Sequence, residues 1–136
     1  MKVQQVIPIL NVSDVEASFG WFAKLGWTKS FEWRGTDGRS APSFGGVTCG
    51  GPEIFLCLDG QGGRGRGANP DTGPGADQRA DKGAWVSIFV DDVDAVHELC
   101  LAEGIEVTHP PTDEPWGVRE MHLRHPDGHV FRLSES

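Results

Sequence analysis

The chain has few basic residues and no long apolar run, and each shortage excludes a class of protein. Twelve lysines and arginines stand against 20 aspartates and glutamates, which gives a formal net charge of −8. A nucleic-acid-binding surface needs a basic face, so we expect no nucleic-acid partner. No stretch approaches the roughly 18 consecutive apolar residues of a membrane-spanning helix, so we expect no membrane partner.

Cysteine is also scarce, and targeting and nucleotide-binding signals are missing. Cys49, Cys57 and Cys100 are odd in number and lack the spacing of metal motifs, which favours reduced, mostly buried thiols. The N-terminal residues show no signal-peptide pattern, so we expect a cytoplasmic protein. The glycine-rich segment 62–67 lacks the Gly-Lys-Ser/Thr ending of a phosphate-binding loop.

What the chain does contain is an internal repeat. Residues 11–27 align without a gap to residues 89–105, a constant 78 positions later. Five of the 17 aligned columns are identical, including Asp14/Asp92 and Gly26/Gly104. A repeat of this kind fixes the architecture, because it indicates that one small module was duplicated.

Each copy predicts a strand, a helix and three further strands. The apolar stretch 3–10 predicts a buried strand. Ser13 begins a capping box that starts the first helix, and Gly26 ends it. In the second copy we expect Asp91 to cap the helix and Gly104 to end it. The remaining strands are predicted at 27–34, 43–49, 53–58, 85–90, 105–109, 118–124 and 129–133.

Prolines and histidines punctuate the second copy. Pro110 and Pro111 predict the end of its second strand, because proline lacks the backbone N–H of a ladder. The tripeptide 126–128, Pro-Asp-Gly, predicts a tight hairpin turn. His125 and His129 flank this turn, and we expect both to be exposed to solvent.

A glycine-rich segment separates the two copies. Residues 59–83 contain eight glycines and two prolines, and their four acidic and four basic side chains cancel. Such a composition buries too little apolar area to order itself. We expect a flexible loop between module one at 1–58 and module two at 84–136, either as a plain linker or as a lid.

The duplicated module, together with Pro-Asp-Gly-His-Val-Phe-Arg-Leu at 126–133, resembles the vicinal-oxygen-chelate superfamily. That group includes glyoxalase I, extradiol dioxygenases and the fosfomycin- and bleomycin-resistance proteins. Segments 6–12, 21–27 and 116–121 are most similar to the bleomycin-resistance branch. The resemblance implies one α+β domain over 1–136, in which two tandem β-α-β-β-β modules form half-barrel sheets around a cleft.

Enzymes of this superfamily hold a divalent metal with histidine and glutamate side chains on four strands. The resemblance places the matching positions at Ile7, Phe55, Trp85 and Arg132, whose side chains do not bind metals. Glu53 would share a strand face with Phe55, but one carboxylate does not hold a catalytic metal. We therefore expect no metal, no other cofactor and no catalytic residue.

Aromatic side chains take the place of the missing ligands. The chain has five tryptophans, seven phenylalanines and no tyrosine. Aromatic pairs add about 0.5–1.5 kcal/mol beyond burial, although a plain core role is the alternative for each ring. We hypothesise a non-catalytic protein that sequesters an aromatic antibiotic, such as a bleomycin-like glycopeptide, a mitomycin or an enediyne. The candidate ligand-binding residues are Ile7, Phe31, Trp33, Phe55, Trp85, Trp116, Met121 and Arg132.

Two enzymatic alternatives stay open at this point. One is a metal-dependent glyoxalase or dioxygenase of the same superfamily. The other is a metal-free enzyme that uses Arg132 with Glu53 or Glu120 as acid–base groups. Whichever function applies, we expect a homodimer, because half-barrels leave sheet edges and apolar helix faces to cover.

Overall fold

The computed structural model describes residues 1–35, 41–58 and 83–136. The chain divides into two compact units, Met1–Pro70 and Asp71–Ser136. The first contains β1 (Ile9–Asn11), α1 (Val15–Lys24), β2 (Thr28–Trp33), β3 (Phe44–Thr48) and β4 (Glu53–Cys57). The second contains β5 (Trp85–Phe89), α2 (Val93–Glu103), β6 (Glu106–Asp113), β7 (Arg119–Arg124) and β8 (Val130–Glu135). The predicted α+β fold of two β-α-β-β-β modules is confirmed.

Each unit is built on one four-stranded mixed sheet. The strand orders are β1-β4-β3-β2 and β5-β8-β7-β6, so the module's last strand lies beside its first in both units. These two strands run parallel, and the helix forms the crossover between the first strand and the rest. The other neighbours are antiparallel. One helix per sheet can cover only one face of it.

The internal repeat has a direct structural counterpart at the helix starts. The Asp14 carboxylate accepts a hydrogen bond from the Ala17 N–H at 2.9 Å, and Asp92 accepts one from Ala95 at 3.0 Å. Both aspartates have the extended backbone of an N-cap residue. The predicted caps, Ser13 and Asp91, are therefore wrong by one residue in both copies.

The helix ends follow the repeat as well. Gly26 has φ of 88° and Gly104 has φ of 71°, a left-handed conformation that glycine adopts without a steric penalty. The prediction that these two glycines end the helices is confirmed.

The Arg119 guanidinium joins α2 to β7, because two of its nitrogens donate to the Asp94 carboxylate at 2.7 and 2.8 Å.

Two strand predictions are wrong. The first strand begins at Ile9 rather than residue 3, and residues 1–6 are exposed to solvent. Only the last part of that apolar stretch forms a strand, because only that part lies beside β4 and pairs with it. Strand β6 continues through Pro110 and Pro111 to Asp113. It tolerates the prolines because it is an edge strand with register shifts on both sides of His109.

His125 and His129 are buried, with 1% and 2% of their surfaces exposed, so the prediction that they are exposed is wrong. Each ring is fixed by a backbone group: the Asp127 N–H donates to His125 Nδ1 at 3.0 Å, and the Ala84 N–H donates to His129 Nδ1 at 2.8 Å. The hairpin turn therefore folds inward around two imidazoles. Burial lowers the pKa of His125 to about 4, and the nearby Asp127 carboxylate only partly opposes this effect.

The cysteines and the remaining segments complete the comparison. Cys57 and Cys100 are buried, as expected, whereas Cys49 is exposed. Burial raises the pKa of the Cys100 thiol. Within the described ranges, no helix combines the length and apolar character needed to cross a membrane. Apart from Gly83, the predicted loop at 59–83 lies outside the described residues.

Replacing Asp92 with alanine tests the capping geometry. The variant leaves the N–H of Ala95 without its side-chain acceptor, so we expect a loss of about 1 kcal/mol in the free energy of unfolding. Urea denaturation measures this loss. Asp91→Ala is the matched control, because it removes the same charge one residue away. Equal destabilisation by both variants would contradict the assignment of the cap.

The pH dependence of stability tests the burial of His125. In the unfolded chain the imidazole binds a proton near pH 6.5, whereas the folded protein binds it only near pH 4. The stability from this group is therefore complete above pH 6.5 and is lost as the pH falls towards 4. Between pH 7.5 and 4.5, we expect the free energy of unfolding to fall by roughly 2 kcal/mol more than in His125→Asn. His97→Asn, on α2, should keep the wild-type slope. Identical slopes in all three proteins would overturn the assignment.

Candidate functional site

The sheet of the second unit has one face against its helix, and no helix of the described residues lies on the other face. Arg119 and Glu135 identify the first face, because Arg119 contacts Asp94 of α2 and Glu135 accepts the N–H of Val93 at 2.8 Å. Side chains alternate along a strand. The buried residues Met121, Leu123, Phe131 and Leu133 therefore share the helix-covered face. We call the opposite face of this sheet the open face of the second unit; it carries Trp85, Glu120, His122 and Arg132.

The cross-strand register brings the polar residues of this open face together. His122 of β7 lies directly opposite Arg132 of β8, and Ser87 of β5 lies beside Arg132 on the other side. Glu120 is two residues before His122 on the same strand, so it shares the face. Trp85 stands at the start of the edge strand β5 with 69% of its surface exposed. Its ring centre is 6.2 Å from that of His122.

Glu120 is the centre of this polar cluster. Its carboxylate accepts hydrogen bonds from Arg132 Nε at 2.7 Å and Nη2 at 2.6 Å, and from His122 Nε2 at 2.8 Å. Trp116 Nε1 lies 3.4 Å from the same carboxylate. Burial favours the neutral form of Glu120, which is only 3% exposed, but the bonds from Arg132 and His122 outweigh burial and lower its pKa. The carboxylate is thus held ionised and paired.

Trp116 extends the cluster towards solvent. It lies in the turn between β6 and β7 and is 60% exposed. The Arg132 guanidinium carbon stands 5.9 Å from the centre of the Trp116 ring, within the range of a cation–π contact. Glu120 therefore fixes both groups, because Arg132 and Trp116 each place a nitrogen on its carboxylate. The result is a positioned guanidinium beside an accessible indole.

A second imidazole–carboxylate pair lies next to the first. His109 of β6 is the register partner of His122, and their ring centres are 4.9 Å apart. His109 Nε2 lies 2.8 Å from Glu114 Oε1, and this contact repeats the contact between His122 and Glu120. An ionised carboxylate only accepts hydrogen bonds, so it favours the tautomer with the proton on Nε2.

The first unit has its own open face, on the side of its sheet away from α1, and this face is mainly aromatic. Phe31, Phe44 and Phe55 lie on three neighbouring strands with ring centres 5.3–5.8 Å apart. Gly46 makes room for them, because a Cβ at that position would lie 2.7 Å from the Phe31 ring. Trp33 is exposed beside the cluster, as the register partner of Phe44.

The structure divides the predicted ligand-binding residues into three groups. Phe31, Phe55 and Trp33 lie on the open face of the first unit, and Ile7 is half-buried two residues before β1. Trp85, Trp116 and Arg132 belong to the second unit's open face and its adjoining turn. Met121 is 0% exposed on the helix-covered face, because strand alternation turns it away from its neighbours Glu120 and His122. Because its side chain is buried there, we leave Met121 out of the proposed ligand contacts.

Sequence reasoning missed three residues, and it named Glu120 only as a possible acid–base group. Phe44 completes the phenylalanine cluster, and His122 and His109 join Glu120 in the polar network. The sequence contained one usable signal. A tight turn at 126–128 pairs 125 with 129 and therefore places His122 opposite Arg132, as the structure shows. Glu120 then follows two residues along the same face.

The positions that the resemblance assigns to a catalytic metal do not fit one. Ile7, Phe55 and Trp85 offer no donor atom, and Arg132 supplies a positive charge. Glu53, the nearby carboxylate, accepts a hydrogen bond from Ser30 Oγ at 2.6 Å. Across residues 1–35, 41–58 and 83–136, no group of three or more histidine, cysteine, aspartate or glutamate side chains is placed to hold a metal ion.

Solved structures share this fold at low sequence identity. TioX from Micromonospora sp. ML1 is 19% identical, with 98% of each chain covered and a TM-score of 0.73. A member of the glyoxalase/bleomycin resistance protein/dioxygenase superfamily from Sphaerobacter thermophilus DSM 20745 is 25% identical, with the same coverage and TM-score. A bleomycin-binding protein complexed with bleomycin is 18% identical, covering 98% of this chain and 99% of its own, with a TM-score of 0.68.

Comparison with curated protein sequences gives no match. The family model of the Glyoxalase/Bleomycin resistance protein/Dioxygenase superfamily, in contrast, matches residues 2–133, nearly the whole chain. The match includes both copies of the module and all the residues of the two open faces. The chain belongs to the Glyoxalase/Bleomycin resistance protein/Dioxygenase superfamily.

Proposed function

We propose that this protein binds an aromatic antibiotic and holds it without changing it chemically. The ligand class is a DNA-damaging natural product with flat rings, such as a bleomycin-like glycopeptide, a mitomycin or an enediyne. One observation carries the proposal: the exposed indole ring of Trp116 stands beside a guanidinium that a buried carboxylate holds in place. Binding of this kind protects a cell by mass action, because bound drug does not reach DNA.

The second unit's open face offers two kinds of contact. Trp85 and Trp116 present ring surface for stacking on a flat ligand. Arg132 offers a planar guanidinium that can stack or can donate to a carbonyl or carboxylate. Since Glu120 already fixes Arg132, binding immobilises few further side-chain torsions there. This preorganisation favours ligand binding.

The first unit's open face supports the same chemistry. Its three phenylalanine rings and Trp33 form an apolar surface. Gly46 lies next to the Phe31 ring, where a Cβ would collide with it. We include Ile7 as an apolar contact at the end of this face. An exposed aromatic surface of this kind is a usual feature of sites for apolar ligands.

The acid–base groups support a non-catalytic role. A general base needs a pKa near the working pH and a free lone pair. Glu120 has a lowered pKa, and Arg132, His122 and Trp116 surround it. Glu53 is engaged by Ser30. The residues at the metal-ligand positions of the family are equally unsuited to a metal-dependent lyase or dioxygenase, so no observation favours the enzymatic alternatives.

The relatives agree with a small-molecule ligand. One protein of the same fold was solved with bleomycin bound. Another is a bleomycin resistance determinant encoded on the transposon Tn5, 20% identical with a TM-score of 0.68. These likenesses support the choice of drug class as a starting point for screening. A cytoplasmic location stays a prediction.

We also propose that the protein is a homodimer. The first strand of each module is an edge strand, and Ile9 on β1 and Phe89 on β5 are exposed there. Exposed apolar side chains on an edge strand are a hazard for aggregation unless another chain covers them.

Ligand screening tests the proposed function. We expect bleomycin, mitomycin C or an enediyne to raise the melting temperature and to quench tryptophan fluorescence. At a ligand concentration of 100 Kd, the stabilisation amounts to about 2.7 kcal/mol. Trp85→Ala should weaken binding about 5- to 30-fold, which corresponds to the loss of about 1–2 kcal/mol of stacking and burial.

Controls keep this experiment specific. Leu101→Ala removes an equally exposed apolar side chain from α2 and should leave the affinity unchanged. Mass spectrometry should recover the ligand intact after incubation. The proposal fails if none of the three compounds shifts the melting temperature, or if the recovered compound is chemically altered.

Light scattering after size exclusion tests the dimer. We expect twice the 14.7 kDa chain mass at micromolar concentration. Phe89→Glu places a charge on the exposed edge of β5 and should shift the protein towards the monomer, whereas Leu101→Glu on α2 should not. A wild-type mass of one chain would contradict the proposal.

A further inference from the structure

The two neighbouring imidazoles on the second unit's open face, His109 and His122, are not among the proposed antibiotic contacts. We propose that His109 and His122 form a chelating site for a divalent transition-metal ion of the Cu²⁺, Ni²⁺ or Zn²⁺ class. The protein would supply two nitrogens, and water or an exogenous donor would complete the coordination. This site differs from the family's metal positions, which this chain fills with Ile7, Phe55, Trp85 and Arg132.

The spacing of the rings suits a shared ion. A transition ion lies about 2.1 Å from an imidazole nitrogen, and therefore about 3.2 Å from the ring centre. Two imidazoles at 90–109° around one ion consequently have centres about 4.5–5.2 Å apart. The centres of His109 and His122 are 4.9 Å apart, and the residues are register partners on adjacent strands.

The hydrogen bonds of the two imidazoles engage Nε2, which leaves Nδ1 of each ring for a metal ion. Each Nε2 lies 2.8 Å from a carboxylate oxygen, of Glu114 for His109 and of Glu120 for His122. In the neutral imidazole, a proton on Nε2 leaves the lone pair on Nδ1. A carboxylate on the second ring nitrogen is the arrangement that usually orients a metal-binding histidine and raises its basicity. Here both rings have it.

Exposure and charge also favour a cation. The side chains of His109 and His122 are 35% and 23% exposed, so an ion from solvent can reach them. Glu114 places a carboxylate beside the pair, and the opposite charges of Glu120 and Arg132 compensate each other. The other neighbouring pair, His125 and His129, provides a contrast. Its rings are buried and their Nδ1 atoms accept backbone N–H groups.

The experiment uses tag-free full-length protein and metal alone. We expect Cu²⁺ to bind one to one and to quench Trp85, whose ring lies 6.2 Å from that of His122. His109→Gln and His122→Gln should each weaken Cu²⁺ binding at least tenfold, because one of two protein ligands is lost. Glu114→Ala should weaken it about tenfold by releasing the orientation of His109.

Three controls separate this site from other copper ligands. His97→Gln, on α2, should bind as the wild type does. Trp85→Phe should bind Cu²⁺ with unchanged affinity, measured by calorimetry, but with much less quenching. Zn²⁺ should shift the imidazole ¹⁵N resonances of His109 and His122 in NMR spectra.

Two results would overturn the proposal. One is equal Cu²⁺ affinity in the wild type and in His109→Gln, the substitution at the more exposed ring and therefore the safer one for folding. The other is a Zn²⁺ response confined to His97, His125 or His129. Neither result bears on antibiotic binding, which is measured without metal.

Discussion

In the part of the chain that the structure describes, each sheet has a single helix to cover it, and the contrast between the two faces of each sheet follows from that constraint. Period-two alternation sends one set of side chains towards the helix and the other set to the opposite face. Apolar residues such as Leu123 and Leu133 fill the covered side. No described helix packs on the open side of either sheet, and exposed aromatic side chains such as Trp33 and Trp85 lie there.

The two open faces differ in the chemistry of their side chains. In the first unit, Phe55 packs edge to face against Phe31 and Phe44, and the three rings make an apolar surface. In the second unit, a carboxylate is buried among a guanidinium, an imidazole and an indole. A buried charge is costly unless it is paired and fully hydrogen-bonded. Glu120 meets that requirement, and its partners are thereby held in fixed positions at the surface.

Sequence alone predicts the fold well because both copies of the repeat predict the same order of strands and helix. The helix ends at Gly26 and Gly104 and the Pro-Asp-Gly turn follow from local backbone chemistry. Other features depend on contacts that a linear pattern does not show. Pro110 and Pro111 remain in a strand because β6 is an edge. The imidazoles at 125 and 129 are buried because backbone N–H groups fix them.

The candidate site was predictable only in part, for the same reason. Aromatic positions such as Trp85 can be chosen by matching them to a family, whereas Met121 fails because a one-residue step turns a side chain to the other face. The network around Glu120 needs the register of three strands at once.

The second unit's open face also has two chemically distinct sides. Towards β5 and β8 it presents an indole and a guanidinium, which suit π systems and anions. Towards β6 and β7 it presents two imidazoles backed by carboxylates, which suit cations. Glu120 links the sides, since it accepts hydrogen bonds from both Arg132 and His122. Because one carboxylate accepts both bonds, the positions of Arg132 and His122 depend on the same group.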